Sequence, residues 1–98
     1  MADLGISEFD PAEVLTSAER IAAYLQLVAE DTNNDAGEII RAFRVAVRAR
    51  GASIVAAGAG LSEQALHEAL ADGADPSFEP VLNIANAVGV RASFELAN

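Results

Sequence analysis

The sequence predicts a mainly α-helical fold, a helix-turn-helix bundle of about five helices with an N-terminal arm and a short C-terminal β-strand. Three observations carry that prediction. The stretch from Gly51 to Leu70, GASIVAAGAGLSEQALHEAL, spaces Ala56, Gly60 and Leu66 as two short helices joined by a tight turn require. Apolar residues recur at helical spacing on both sides of it, and only the tail VRASFELAN changes to the two-residue period of a strand.

Within the central stretch, Ala56 is small enough to let two helices cross closely, Gly60 can take positive φ at the turn, and Leu66 points the second helix's inner face into the core. Val55 and Leu61 fill the remaining inward positions. Ser62 stands where a hydroxyl can cap the free amides opening the second helix. In a DNA-binding protein that second helix is the one that reads base edges. Its outward residues here are Glu63, Gln64, His67 and Glu68, which include two acids and no Arg or Lys.

From the N-terminus, residues 1 to 15 read as an ordered arm rather than a helix, with Phe9, Val14 and Leu15 as apolar anchors and Pro11 breaking any longer element. The first helix is expected from Thr16 or Ser17 to about Asp31. Thr16 with Glu19 three residues on has the form of a capping box, and Ile21, Tyr24, Leu25 and Val28 recur at helical spacing. TNND then makes a turn. A second helix is expected from about Asp35 to Ala49, with Ile39, Ile40, Phe43, Ala46 and Val47 inward and Arg50-Gly51 closing it. The two motif helices follow.

After them, ADGADPSF is turn chemistry, and Ser77 or Pro76 can open a last helix running to about Val88, with Phe78, Val81, Leu82, Ile84, Ala85 and Val88 inward and Gly89 as its stop. In the tail, Val90, Ala92, Phe94 and Leu96 share one face. A lone strand cannot satisfy its backbone in a helical monomer, so the pattern predicts either pairing with the same strand of a second copy across a twofold axis or an arm lying on its own helices.

A chain of 98 residues with 52% hydrophobic content fits one domain, divided into an arm and first helix (1–31), a helical core (35–88) and the strand (90–96). The absence of cysteine removes disulfides and thiolate metal sites, and no metal or cofactor is expected. The N-terminal MADLGISEFDPAEVL carries acids and no basic region ahead of an apolar run, which does not read as a secretory signal, and charges interrupt every stretch long enough to span a bilayer. A cytoplasmic location is expected.

The formal charge of −9 argues against indiscriminate binding to nucleic acid. Its distribution is uneven. Residues 39–62 hold Arg41, Arg44, Arg48 and Arg50 with no acid, while all 15 acids lie on either side of them. Arg41, Arg44 and Arg48 form a stripe beside the apolar face of the second helix. They can touch phosphates or an acidic patch of a partner, or form a solvated face paired with Glu38 and the acidic arm. His67, the single histidine, either meets a base edge or phosphate or is a half-exposed helix side chain. No nucleophile elbow, phosphate loop or zinc spacing appears, and Glu63 and Glu68 lie on a surface helix without a cleft, so an enzyme is not expected.

Taken in order, FDPAEVL, the helix with IAAYL, RARG, the run from Ser53 to Leu70 and DPSFEPVLNIANAVGV resemble HigA-type addiction module antidote (antitoxin) proteins. These are members of the lambda-repressor-like (XRE-type) helix-turn-helix family. The resemblance covers nearly the whole chain. It implies a cytoplasmic homodimer that binds double-stranded operator DNA, represses its own operon and neutralises a RelE/ParE-superfamily toxin. It places Arg48, Arg50, Ser53, Ser62, Glu63, Gln64, His67, Glu68 and Ser77 at the operator, with Arg50 the first choice for a phosphate contact. Toxin contact falls to Phe9, Leu15 and Tyr24 among the arm's acids, and dimerisation to Val90, Ala92, Phe94 and Leu96. The chain departs from the family pattern where Glu63 and His67-Glu68 replace an Arg and an aromatic-Lys pair, and where Ala57-Gly58 replaces a polar or charged pair on the first motif helix. Gln64 can still pair with adenine and Glu68 can accept from cytosine, which predicts modest, salt-sensitive binding. Two other readings remain: a stand-alone helix-turn-helix regulator, and a protein-interaction module that has lost DNA binding.

Overall fold

The computed structural model describes residues 11–94 and 96. A short 3-10 turn, Pro11–Val14, precedes five helices: α1 (Ala18–Asp31), α2 (Ala36–Arg50), α3 (Ala52–Ala59), α4 (Glu63–Ala69) and α5 (Phe78–Val88). Helix α1 packs on α2, α3 packs most extensively on α5, and α4 rests chiefly on α3. No helix among the described residues is long and apolar enough to cross a membrane.

Local chemistry sets each boundary. The start of α1 departs from the expected capping box: Ser17, not Thr16, is the cap, and its Oγ accepts from the Arg20 N–H at 3.2 Å. Ser17 has the extended backbone a cap needs, and the residue three beyond it is Arg20, so no reciprocal acid bond forms. The Arg20 side chain instead donates to the Val14 carbonyl, joining α1 to the 3-10 turn. The arm therefore ends in regular structure, with Pro11 in the first position of the turn, where a missing N–H costs nothing.

Asn33 and Asn34 both take positive φ after α1, a conformation asparagine tolerates better than most side chains. Asp35 then caps α2 by accepting from the Glu38 N–H at 3.0 Å. Gly51, at φ 109°, ends α2 and begins α3. At the far end of α3, Gly60 adopts φ 73° and ψ 30°; its N–H donates to the Ala57 carbonyl at 3.3 Å and the Leu61 N–H to the Ala56 carbonyl at 2.9 Å. That pair of bonds closes α3 and turns the chain directly into α4. Helix α5 accommodates Pro80 in its first turn, where no intrahelical donor is needed, and stops at Gly89.

The core is a single cluster in which Val55, Leu66, Leu70, Ile84 and Val88 are fully buried, joined by Leu15, Ile21, Phe43, Ala46, Val47 and Ala56. Burial of each large aliphatic side chain contributes about 1.5–3 kcal/mol. Two expectations are corrected. Phe78 is 68% exposed rather than inward, because the buried residues of α5 are Ile84, Ala85 and Val88, all in its C-terminal half. Among the described residues there is no strand: Val90 packs partly against the core, whereas Ala92, Phe94 and Leu96 are exposed. A single extended segment finds no second strand in a helical chain to bond with.

Candidate nucleic-acid interface

Gly60 seats α4 against α3 because its left-handed backbone lets the chain reverse within the two residues before Ser62. Ser62 Oγ accepts from the Ala65 N–H at 3.0 Å and so fixes the first turn of α4. Leu66 and Leu70 are sunk in the core, at 0% and 2% exposure, and this turns the opposite face outward. Ser62, Glu63, Gln64, His67 and Glu68 are all exposed there, as their spacing predicted.

The polar groups on that face are partly engaged with each other. The Gln64 amide nitrogen donates to the Glu68 carboxylate at 3.1 Å. A glutamine reading adenine needs its donor and acceptor together, so this bond must open before Gln64 can make that contact. Other candidates lie elsewhere. Arg48 and Arg50 are exposed near the end of α2, Ser53 is exposed in the first turn of α3, and Ser77 is exposed as the α5 cap, making no side-chain capping bond.

Two of the three arginines in the α2 stripe turn toward the end of α4. Arg44 Nη1 donates to the Leu70 carbonyl at 2.7 Å and lies 3.0 Å from Asp72 Oδ1. Arg41 Nη1 bonds the Glu38 carboxylate, while its Nε lies 3.8 Å from the same Asp72 oxygen. The pKa of the Arg41 guanidinium is raised from its ordinary value, first by the hydrogen bond it donates to Glu38 and then by that residue's charge, with Asp72 adding to it. Arg41 thus makes the Glu38 pair expected of a solvated face, whereas Arg44 meets Asp72 and the Leu70 carbonyl rather than Glu38. Arg44 belongs to the arginine stripe read from the sequence but not to the residues assigned to the operator. Its signal in the sequence is its place between Phe43 and Val45 at the margin of the inward face, with Asp72 just beyond α4.

The candidate partner residues divide. Leu15 is 7% exposed and belongs to the core, so it is not available as a contact in the folded chain; the 3-10 turn drives it against α2. Tyr24 is half-buried and lines a groove of about 250 Å³ between α1 and α2, with Val28, Arg44, Val45 and Arg48. Phe9 lies outside the described residues. A second cleft, about 430 Å³, separates the start of α2 from the α4–α5 loop and is floored by Ile39, Ile40 and Val81. No group of three or more metal-ligating side chains gathers among the described residues.

A Cβ on Gly58 would lie 3.1 Å from the Ala87 Cβ, so glycine at this position permits the close crossing of α3 and α5.

Residues 5–96 match the protein family described as "probable addiction module antidote protein". A Haemophilus influenzae protein named "uncharacterized protein" is 34% identical over 86 residues, which cover 88% of this chain and 87% of that protein. No solved structure matches.

Proposed function

The chain belongs to the addiction module antidote family, and from that premise we propose that it is a dimeric cytoplasmic antitoxin that also binds operator DNA and represses its own operon. Its protein target on this reading is a RelE/ParE-superfamily toxin. The observation that carries the DNA-binding part is the turn at Gly60, which joins α3 to α4 while Leu66 is buried and Glu63, Gln64, His67 and Glu68 stay exposed. That is the arrangement in which a second motif helix enters a major groove. For the antitoxin part, support comes from the family together with the acidic α1, where Glu19, Glu30 and Asp31 are exposed and can attract a basic partner.

Binding to the DNA upstream of its own gene, followed by gel shift at increasing salt, tests the repressor half. Retention at low salt that fades steeply as salt rises is the expected result. Co-expression with the adjacent gene tests the antitoxin half, and unrelieved toxicity would count against it. A second reading, an interaction module that has lost DNA binding, is favoured by the Gln64–Glu68 bond, which ties the best base-reading side chain to an acid. No retention at any salt is the outcome that selects it.

A further inference from the structure

Resting on the reading that α4 enters an operator, we propose that Arg44 is the positioning residue that holds this helix at its reading angle. Helix α4 has seven residues. An isolated helix of that length does not persist in water, so its direction is set by attachments to the rest of the fold. At the N-terminal end that attachment is the Gly60 turn, with the Ser62 cap ordering the helix's own first turn. Along the inner face they are Leu66 and Leu70, both buried. Apolar contact is non-directional, and by itself it leaves a short helix free to roll or tilt on its neighbours.

Arg44 supplies the directional contact at the other end. Its Nη1 bonds the Leu70 carbonyl at 2.7 Å and pairs with Asp72 at 3.0 Å, so the end of α4 and the loop beyond it share one guanidinium. Carbonyls in the last turn of a helix lack intrahelical partners, and a cation there also complements the helix dipole. The anchor is firm on the other side, since α2 carries Phe43, Ala46 and Val47 in the core. The Arg44 side chain is 32% exposed against 52% for Arg41, which shields its bond to the Leu70 carbonyl, whereas Asp72 is 76% exposed and adds less. A planar fork holds two acceptors at a fixed angle, whereas an ammonium group meets them as a point charge.

The test compares Arg44→Met, Arg44→Lys and Arg41→Met for affinity to the chain's own upstream DNA across a salt series, together with amide exchange of the folded protein. Arg44→Met is expected to weaken binding about tenfold or more at every salt concentration. Amides of residues 66–71 are expected to exchange faster while those of α2 and α5 do not change. Arg44→Lys should restore part of the affinity, and Arg41→Met should stay within about threefold of the unmodified chain because its contacts are exposed ion pairs. A lost phosphate contact lowers the salt slope by about one, whereas a mispositioned helix leaves the slope unchanged. Unchanged affinity in Arg44→Met, or a slope reduced by about one, overturns the proposal. Should the unmodified chain bind no DNA at any salt, the operator reading has failed on its own account. The exchange data then decide the clamp: faster exchange confined to α4 supports it and unchanged exchange overturns it.

Discussion

Gly58 on α3 faces Ala87 on α5 so closely that a Cβ added to the glycine would stand 3.1 Å from the alanine Cβ. Among the described helices these two pack most extensively, and through α3 this crossing fixes the platform on which α4 rests. Gly58→Leu is therefore expected to push the helices apart and cost about 1–3 kcal/mol. Thermal unfolding reads this directly. Gly58→Ala should be nearly neutral, since better helix propensity offsets the tight contact. Ala87→Gly combined with Gly58→Leu should regain part of the loss, and a Gly58→Leu protein that melts with the unmodified chain would remove the steric account.

Gly60 gives a different signature, because a Cβ there meets nothing within 4 Å. Any cost of substitution is then backbone strain at φ 73°. Gly60→Val is expected to destabilise by about 2 kcal/mol, Gly60→Ala by about 1, and Gly60→Asn by less than either, since asparagine tolerates the left-handed region. Urea midpoints in that order support the turn geometry. Equal midpoints for Asn and Val would contradict it.

The parts of this fold legible in the sequence are those decided by a few adjacent residues. Gly60, Ser62 and Leu66 were readable because a positive φ, a capping oxygen and one inward position follow from local chemistry, and the same holds for the stops at Gly51 and Gly89. The choice between Thr16 and Ser17 as the cap is not legible, since adjacent hydroxyls offer the same chemistry and only the folded backbone brings the Ser17 Oγ to the Arg20 N–H. Phe78 was placed inward because its spacing matches Leu82 and Ala85, but burial in the first turn depends on whether another helix reaches it. The alternating pattern of Val90, Ala92, Phe94 and Leu96 needs a second strand that this chain does not contain among its described residues. Arg44 was opaque for the same reason: its partner Leu70 lies 26 positions away.

Leu66 and Phe78 separate burial from hydrophobicity. Leu66→Ala empties a fully buried site where α4 meets the core, and the expected loss is about 2–5 kcal/mol. Phe78→Ala removes a larger side chain that is 68% exposed, and the expected change is within about 0.5 kcal/mol. Chemical denaturation of the two variants under one set of conditions makes the comparison. A Phe78→Ala loss approaching that of Leu66→Ala would show that the aromatic ring is covered in solution by a surface other than the one this chain provides.

Glu68 restrains Gln64 through the 3.1 Å bond and places a negative charge on the outward face of α4, the face proposed to meet the operator. Glu68→Gln removes the charge and weakens the restraint, so Gln64 is freer to present donor and acceptor to a base. Affinity for the upstream DNA is expected to rise several-fold to about tenfold at low salt, the range set by one good base contact. The control is Glu30→Gln, which makes the same charge change on α1, a helix that packs on α2 rather than α4. Reduced net charge alone would strengthen binding in both variants, because at low salt the screening length approaches the size of the domain and a charge on either helix is felt by the DNA. A gain confined to Glu68→Gln and shrinking as salt increases places the effect on the outward face of α4. No gain in either variant would mean that the acid at position 68 does not oppose operator contact.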